Sequence, residues 1–199
     1  MGWFSKVVKA ASPYKYGGGG DYIKGYLPYN NIKGYGGNDT LKGYGATNYL
    51  YGGSGADKLY GYGGYNKLYG GSGADYVYGA GVTNRLYGDS GNDHLRAVGA
   101  TNFLYGGSGH DRLDGNGAWN HLDGGSSNDR LYGNGAYNKM LGGTGNDSLY
   151  GRGAANHMFA GSGNDRIEAT GVWNKANGDS GDDVIIATGA TNFLYGGSG

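Results

Sequence analysis

Asp recurs every 18 residues ten times along this chain, as Asp21, Asp39, Asp57, Asp75, Asp93, Asp111, Asp129, Asp147, Asp165 and Asp183. Midway between successive members stands an Asn, from Asn30 and Asn48 through to Asn192. If the chain winds once per 18 residues, the carboxylates align along one edge and the amides along the other. Carboxylates about 5 Å apart repel by roughly 3 kcal/mol at an effective dielectric of 20, so ten in line require neutralisation. Two sources compete. A hard cation such as Ca²⁺ takes carboxylate and backbone carbonyl oxygens, and every Asp follows a Gly-rich segment rich in carbonyls. Lys58, Arg112, Arg130 and Arg166 each follow an Asp directly, but they occur in only some coils and alternation points them outward. A cation column is the better answer. The amides need no ion, because stacked Asn side chains can bond to one another and to turn carbonyls, so calcium is expected on one edge only.

The elements that would position these columns follow from the same period. Twenty nine-residue units run from Gly17 to Gly196 without insertion or deletion, alternating between an Asp kind (Gly53 to Gly61) and an Asn kind (Tyr62 to Gly70). An exact period of this size means a solenoid. One position per unit is always apolar, beginning Ile23, Ile32, Leu41, Leu50 and ending Ala176, Ile185, Leu194. Its neighbours are mostly Tyr, Lys, Arg, His or acids. That is the period-two alternation of a short strand with one side chain inward, as in Lys58-Leu59-Tyr60. Glycines supply the turns. The expected fold is all-β, a parallel β-roll of ten 18-residue coils over residues 17–199. Stacked at about 4.8 Å, the coils give a rod on the order of 50 Å long. One apolar residue in nine makes a thin core, so something beyond burial must support it.

Composition excludes several classes. With 48 Gly in 199 residues, long helices are disfavoured. Only 2 Pro rule out collagen, and the unbroken register argues against disorder. There is no Cys, so disulfides and zinc-thiolate sites are out. The formal net charge is zero, so no sequence-wide basic field points to nucleic acid or anionic lipid, and no nucleic-acid partner is expected. No apolar run is long enough to span a membrane, and no cleavable signal peptide is evident.

Gly52-Gly53-Ser54-Gly55-Ala56-Asp57-Lys58-Leu59-Tyr60 resembles the G-G-x-G-x-D-x-U-x nonapeptide of RTX (repeats-in-toxin) proteins, and Gly70 to Tyr78 and Gly106 to Asp114 fit it as well. The resemblance implies calcium held between successive turns by Asp39, Asp57, Asp75, Asp93, Asp111, Asp129, Asp147, Asp165 and Asp183. Backbone carbonyls of the Gly-rich turns complete the set, among them Gly53, Gly55, Gly71, Gly73, Gly107, Gly109, Gly143 and Gly145. Asp89 and Asp179 replace the second Gly of the motif, Ser127 the third and Ala160 the first, so those coils are expected to bind differently. The Asn units, such as Gly45-Ala46-Thr47-Asn48 and Gly117-Ala118-Trp119-Asn120, look like the G-x-x-N repeats in the N-terminal arrays of multifunctional autoprocessing RTX toxins. That likeness implies a secreted bacterial toxin whose array engages a host membrane.

Other motifs are weaker. Gly88-Asp89-Ser90-Gly91 and Gly178-Asp179-Ser180-Gly181 mimic a serine-protease nucleophile, but they fall where other units read Gly-Gly-Ser-Gly. His94, His110, His121 and His157 form no column of close neighbours and read as surface residues. Nothing resembles a general acid and base paired in a pocket, so no enzyme is expected. Of the 21 Tyr, Tyr51, Tyr69, Tyr87 and Tyr105 share one outward position in successive coils, and Tyr60, Tyr78, Tyr132 and Tyr150 share another. Stacked rings would support the thin core; the sharper alternative is an aromatic strip for a sugar, a membrane interface or another protein. Residues 1–16 place Trp3, Phe4, Val7, Val8 and Ala11 on one helical stripe ended by Ser12-Pro13. They are expected to form a short amphipathic helix capping the open first coil, with membrane insertion as the competing role. The chain stops partway into an Asp unit, which suggests a larger polypeptide. The function expected from all this is a calcium-binding structural module, secreted and folding on calcium. The alternative is an adhesive or spacer segment of a bacterial surface protein, with Tyr strips meeting a glycan or partner.

Overall fold

The computed structural model of this chain describes residues 5–8 and 19–199. Every coil contributes one short strand after its Asp, such as Lys58–Tyr62, and one longer strand from its Asn, such as Tyr65–Ser72. The short strands stack into an 11-stranded parallel sheet and the long ones into a 10-stranded parallel sheet. From Tyr22 onward registry advances by one 18-residue coil at every step, with Leu59 opposite Val77 in the first sheet and Leu68 opposite Leu86 in the second. The parallel β-roll read from the sequence is the observed fold.

Strand burial alternates strictly, with Leu59 and Gly61 inward and Lys58, Tyr60 and Tyr62 outward. The inward Leu, Ile, Val and Met side chains of the two sheets form one continuous apolar column, Leu41 through Met158 being fully buried. Leu194 departs from this pattern. It occupies a core position but is 46% exposed, because no described strand packs over the last one, Thr191–Tyr195. The two polar columns flank the apolar one inside the roll, and both are buried. Glycine makes room for each. A Cβ on Gly61 would sit 2.6 Å from Asn66 Oδ1, and one on Gly124 would sit 2.5 Å from Asp129 Oδ2.

The outward Tyr rows stack as expected where they are unbroken. Tyr51, Tyr69, Tyr87 and Tyr105 lie with ring centroids 5.0, 4.6 and 5.1 Å apart and planes within 9° of parallel. Tyr132 and Tyr150 also stack, at 4.9 Å. Tyr60 and Tyr78 do not; Tyr76 lies beside Tyr60 and the pair is tilted by 55°.

The N-terminal helix needs correction in part. Ser5–Val8 is a strand that pairs in parallel with Tyr22–Gly25 and extends the first sheet by one member. The open sheet edge offers unpaired backbone groups, and a strand satisfies them more directly than a helix laid across the coil. The remainder of the expected cap, residues 1–4 and 9–16, lies outside the described residues.

Candidate metal centre

The Asp column is built by backbone hydrogen bonds that reach from coil to coil. The Asp39 amide donates to Asp57 Oδ1 at 2.7 Å, Asp57 to Asp75 at 2.7 Å, and Asp111 to Asp129 at 2.7 Å. The pattern runs unbroken from Asp21 to Asp183 with lengths of 2.6 to 2.9 Å. One oxygen of each carboxylate from Asp39 to Asp183 is thereby occupied. The other is not. Oδ2 of all ten Asp is buried and has no hydrogen-bond partner. A buried polar atom left unpaired costs about 1–3 kcal/mol, more if it carries charge.

The environment acts on the carboxyls accordingly. Burial is the main cause, the amide bond to Oδ1 opposes it, and for most members a neighbouring carboxylate adds to it. Asp75, Asp93 and Asp147 are pushed up to about 7, and Asp129 to about 8. Asp39 and Asp111 rise to about 6, and Asp57 and Asp165 also lie above the ordinary carboxylate range. None of the candidate counter-charges answers them. Lys58, Arg112, Arg130 and Arg166 all sit on the exposed outer face, and Arg112 and Arg166 pair instead with Asp114 and Glu168.

What faces the orphaned oxygens is backbone carbonyl. The space where a Cβ on Gly124 would lie is 2.5 Å from Asp129 Oδ2 and 2.6 Å from the carbonyl oxygen of Gly142 in the next coil. The same two kinds of oxygen converge at Gly34, Gly52, Gly70, Gly88, Gly106, Gly142 and Gly178. Among the described residues no three His, Asp or Glu side chains come together. An ion here would therefore draw on one carboxylate and several carbonyls, an all-oxygen set suited to a hard cation of flexible coordination. The residues fit calcium.

The sequence model of the RTX calcium-binding nonapeptide repeat (4 copies) matches residues 30–59, 51–86, 81–113, 97–131, 114–136, 132–167 and 170–199, far more than half of the chain. The chain belongs to the RTX calcium-binding repeat family. It is a calcium-binding repeat module built on a structural repeat fold. No curated protein matches the chain, and no solved structure does.

The RTX turn geometry explains the glycines. Gly53, Gly55, Gly71, Gly73, Gly107, Gly109, Gly143 and Gly145 all have φ between 108° and 121°, a conformation that L side chains rarely adopt. A Cβ on Gly73 would also run into the carbonyl oxygen of Gly55 in the coil before. The departures keep the geometry: Asp89, Asp179 and Ser127 have φ of 73°, 72° and 81°. Each costs about 1–2 kcal/mol in backbone strain, least for Asp, whose short polar side chain tolerates this region. Tyr35 is a further departure that the sequence reading missed, at φ 76° in the place of the second Gly.

Sequence reading left the first Gly of each motif out of the site residues, although that Gly bounds the space shared by Asp Oδ2 and carbonyl. Its signal was present, since the position is Gly in every Asp-type unit from Gly34 onward except at Ala160. The protease-like motifs close the long strands Thr83–Ser90 and Trp173–Ser180. Ser90 and Ser180 donate their hydroxyls to the carbonyls of Gly71 and Gly161 in the preceding coils, at 3.3 and 3.4 Å. His121 and His157 lie two strands apart, with Lys139 between them.

Proposed function

We propose that this RTX module holds calcium along its Asp edge, at Asp39, Asp57, Asp75, Asp93, Asp111, Asp129, Asp147, Asp165 and Asp183. The carbonyls of the glycine turns, including those of Gly53, Gly55, Gly71, Gly73, Gly107, Gly109, Gly143 and Gly145, complete the set. The observation that carries this reading is the column of ten buried, unpartnered Oδ2 atoms, with a backbone carbonyl oxygen converging on the same space at eight of them. Bound calcium supplies the positive charge that these carboxylates lack. Without it, each Asp must either take a proton or hold an unpaired charge inside a thin core, and the roll opens. Folding is therefore coupled to calcium. The role is structural rather than catalytic.

Such a chain stays loose where calcium is scarce and stiffens into a rod outside the cell, which suits a secreted bacterial protein of the toxin type. The resemblance of the Asn units to toxin arrays supports contact with a host membrane as its setting. The outward Tyr rows favour a second reading, an adhesive or spacer segment that meets a glycan or partner protein. Liposome binding by the chain and by a variant lacking Trp3 and Phe4 separates the two.

The deciding experiment is circular dichroism during a calcium titration of chelated protein. The expected result is a calcium-driven gain of β signal that disappears when Asp75, Asp93 and Asp111 are replaced by Asn. A chain fully folded in chelator at pH 7.5 and indifferent to calcium would leave a self-sufficient scaffold, with surface adhesion as its role.

A further inference from the structure

The zero net charge of the sequence conceals a sided distribution. Ten of the sixteen acidic side chains belong to the interior column. Asp89, Asp114, Asp123, Glu168, Asp179 and Asp182 remain outside it, and no Lys or Arg among the described residues is buried. The exterior is therefore cationic, most of all on the outer face of the first sheet. There Asp114 and Glu168 are the only acids in the described strands, and each is already paired with an Arg.

That face also holds a groove of about 430 Å³. Registry creates it. One outward row reads Arg96, Asp114, Tyr132, Tyr150 and the adjacent one Val98, Asn116, Asn134, Arg152, so short side chains lie between long ones. Asp114 is fixed at the floor, accepting from Arg112 Nε at 3.0 Å and lying 2.8 Å from His94 Nε2. Arg96 and Arg152 rise at its rim and form no ion pair among the described residues.

We propose that this groove binds an acidic saccharide, a sugar chain bearing carboxylates. Arg96 and Arg152 present planar guanidinium forks suited to carboxylate. Asp114, Asn116 and Asn134 supply acceptors and donors for ring hydroxyls. The alternatives fit less well. Tyr132 is covered by Tyr150 at 4.9 Å and by the Arg112 guanidinium at 4.4 Å, which leaves its ring edge and hydroxyl rather than an open face for a nucleobase. A phosphodiester chain has few free hydroxyls to donate to the Asp114 carboxylate at the floor, whereas a sugar ring has several. The lining offers no aliphatic side chain for an acyl chain. The proposal goes beyond calcium binding and stands on the outer face, whatever fills the interior column.

The test is calorimetric titration of the calcium-loaded chain with tetragalacturonate, folding being verified by circular dichroism. Arg96→Gln and Arg152→Gln are each expected to weaken binding about tenfold, equivalent to roughly 1.4 kcal/mol. A carboxyl-reduced tetramer should not bind. Lys139→Gln with Lys175→Gln, on the opposite sheet, should leave affinity unchanged. Where a Gln variant fails to fold, the Lys variant at the same position serves, with a smaller loss expected. The proposal is overturned by absence of binding, or by equal loss from the opposite-sheet pair, which marks a nonspecific polyanion effect. It is overturned equally by a short single-stranded DNA or phosphatidylserine vesicles binding as tightly with the same Arg dependence. Loss of calcium-dependent folding in the parent chain would instead count against the metal column alone.

Discussion

The two edges of the roll are wound by the same coil and buried to the same degree, and they differ by one atom in each repeat. On the neutral edge, Asn48 Nδ2 donates to Asn66 Oδ1 in the next coil at 2.8 Å and to the carbonyl of Gly45 at 3.0 Å. The ladder continues at 2.8 to 2.9 Å from Asn30 to Asn192. Every amide finds acceptors, and no side-chain atom of that column is orphaned. On the acidic edge the amide nitrogen is replaced by oxygen, which cannot donate, so each Oδ2 confronts carbonyls it cannot bond. One edge closes its own hydrogen-bond account; the other is complete only with a proton or a cation. Edge chemistry, not burial, decides where a ligand is required.

The sharpest way to separate the edges is pH in the absence of calcium, since only one of them titrates. Eight column carboxyls, Asp39 through Asp165, are raised above the unfolded value of about 4, to about 6 for Asp39 and Asp111, about 7 for Asp75, Asp93 and Asp147, and about 8 for Asp129. A raised carboxyl binds its proton more tightly in the folded chain. Its contribution is fully present below the unfolded value and is lost as pH rises through the folded one. Chelated protein should therefore hold its β signal at pH 5 and lose it progressively between pH 6 and 8, while calcium flattens the profile. A chelated chain equally folded at pH 5 and pH 8.5 would show that the two edges do not differ as argued.

Converting the neutral edge into the acidic kind at one coil should be the next largest effect. Asn102→Asp removes the bond to Asn120 and leaves a buried carboxylate beside the Asn120 oxygen, with no tailored turn opposite it. An uncompensated buried charge costs about 3–5 kcal/mol. Urea denaturation in saturating calcium reads this directly. A loss below about 1 kcal/mol would mean that the ladder tolerates charge and that the Asn column is not what closes that edge.

Much of this architecture was legible in the sequence because the physics repeats. The inward apolar residue, the Asp and the Asn each keep their place in every coil, so the fold, the two columns and the Tyr51 to Tyr105 stack follow from spacing alone. What escaped is local or cumulative. Ser5–Val8 is too short for its period to choose between strand and helix, and its pairing with Tyr22–Gly25 is a long-range fact. Tyr35 hid because a Tyr in a left-handed turn breaks the residue preference that defines the motif. The basic exterior hid because a formal charge counts buried and exposed acids alike.

Within the acidic edge, the first Gly of each motif provides a milder test. Gly106→Ala places a methyl group in the space shared by Asp111 Oδ2 and the Gly124 carbonyl. Ala160 already occupies the equivalent place in its own coil and is fully buried, so the roll accepts the methyl there. The expected result is a calcium midpoint shifted upward by about tenfold, the scale on which support of a metal ligand is felt, with the folded spectrum unchanged in saturating calcium. The same substitution on the neutral edge, Gly115→Ala, should leave the midpoint alone, although a Cβ there would meet Leu122 at 2.9 Å and Asn120 Oδ1 at 3.1 Å.

The smallest effect concerns the outward rings beside the neutral edge. Tyr26, Tyr44 and Tyr62 stack outside it at 5.1 and 5.2 Å, and the rings could be taken for its support. Later coils argue otherwise. Ala80, Val98, Asn116, Asn134, Arg152 and Thr170 fill the same outward position, yet the Asn ladder beneath them keeps its spacing. Tyr44 is also 41% exposed, so little of its ring area is removed from water by folding. Tyr44→Ala should therefore cost about 0.5–1.5 kcal/mol, the worth of its aromatic contacts. Asn48→Ala beside it should cost more, because it takes one of the two acceptors from the Asn30 amide and the side-chain donor from the Asn66 oxygen as well as losing its own bonds. Thermal unfolding of the two variants in calcium ranks them. If Tyr44→Ala proved the more damaging, the neutral edge would be held from outside by its rings, and the contrast between the columns would need redrawing.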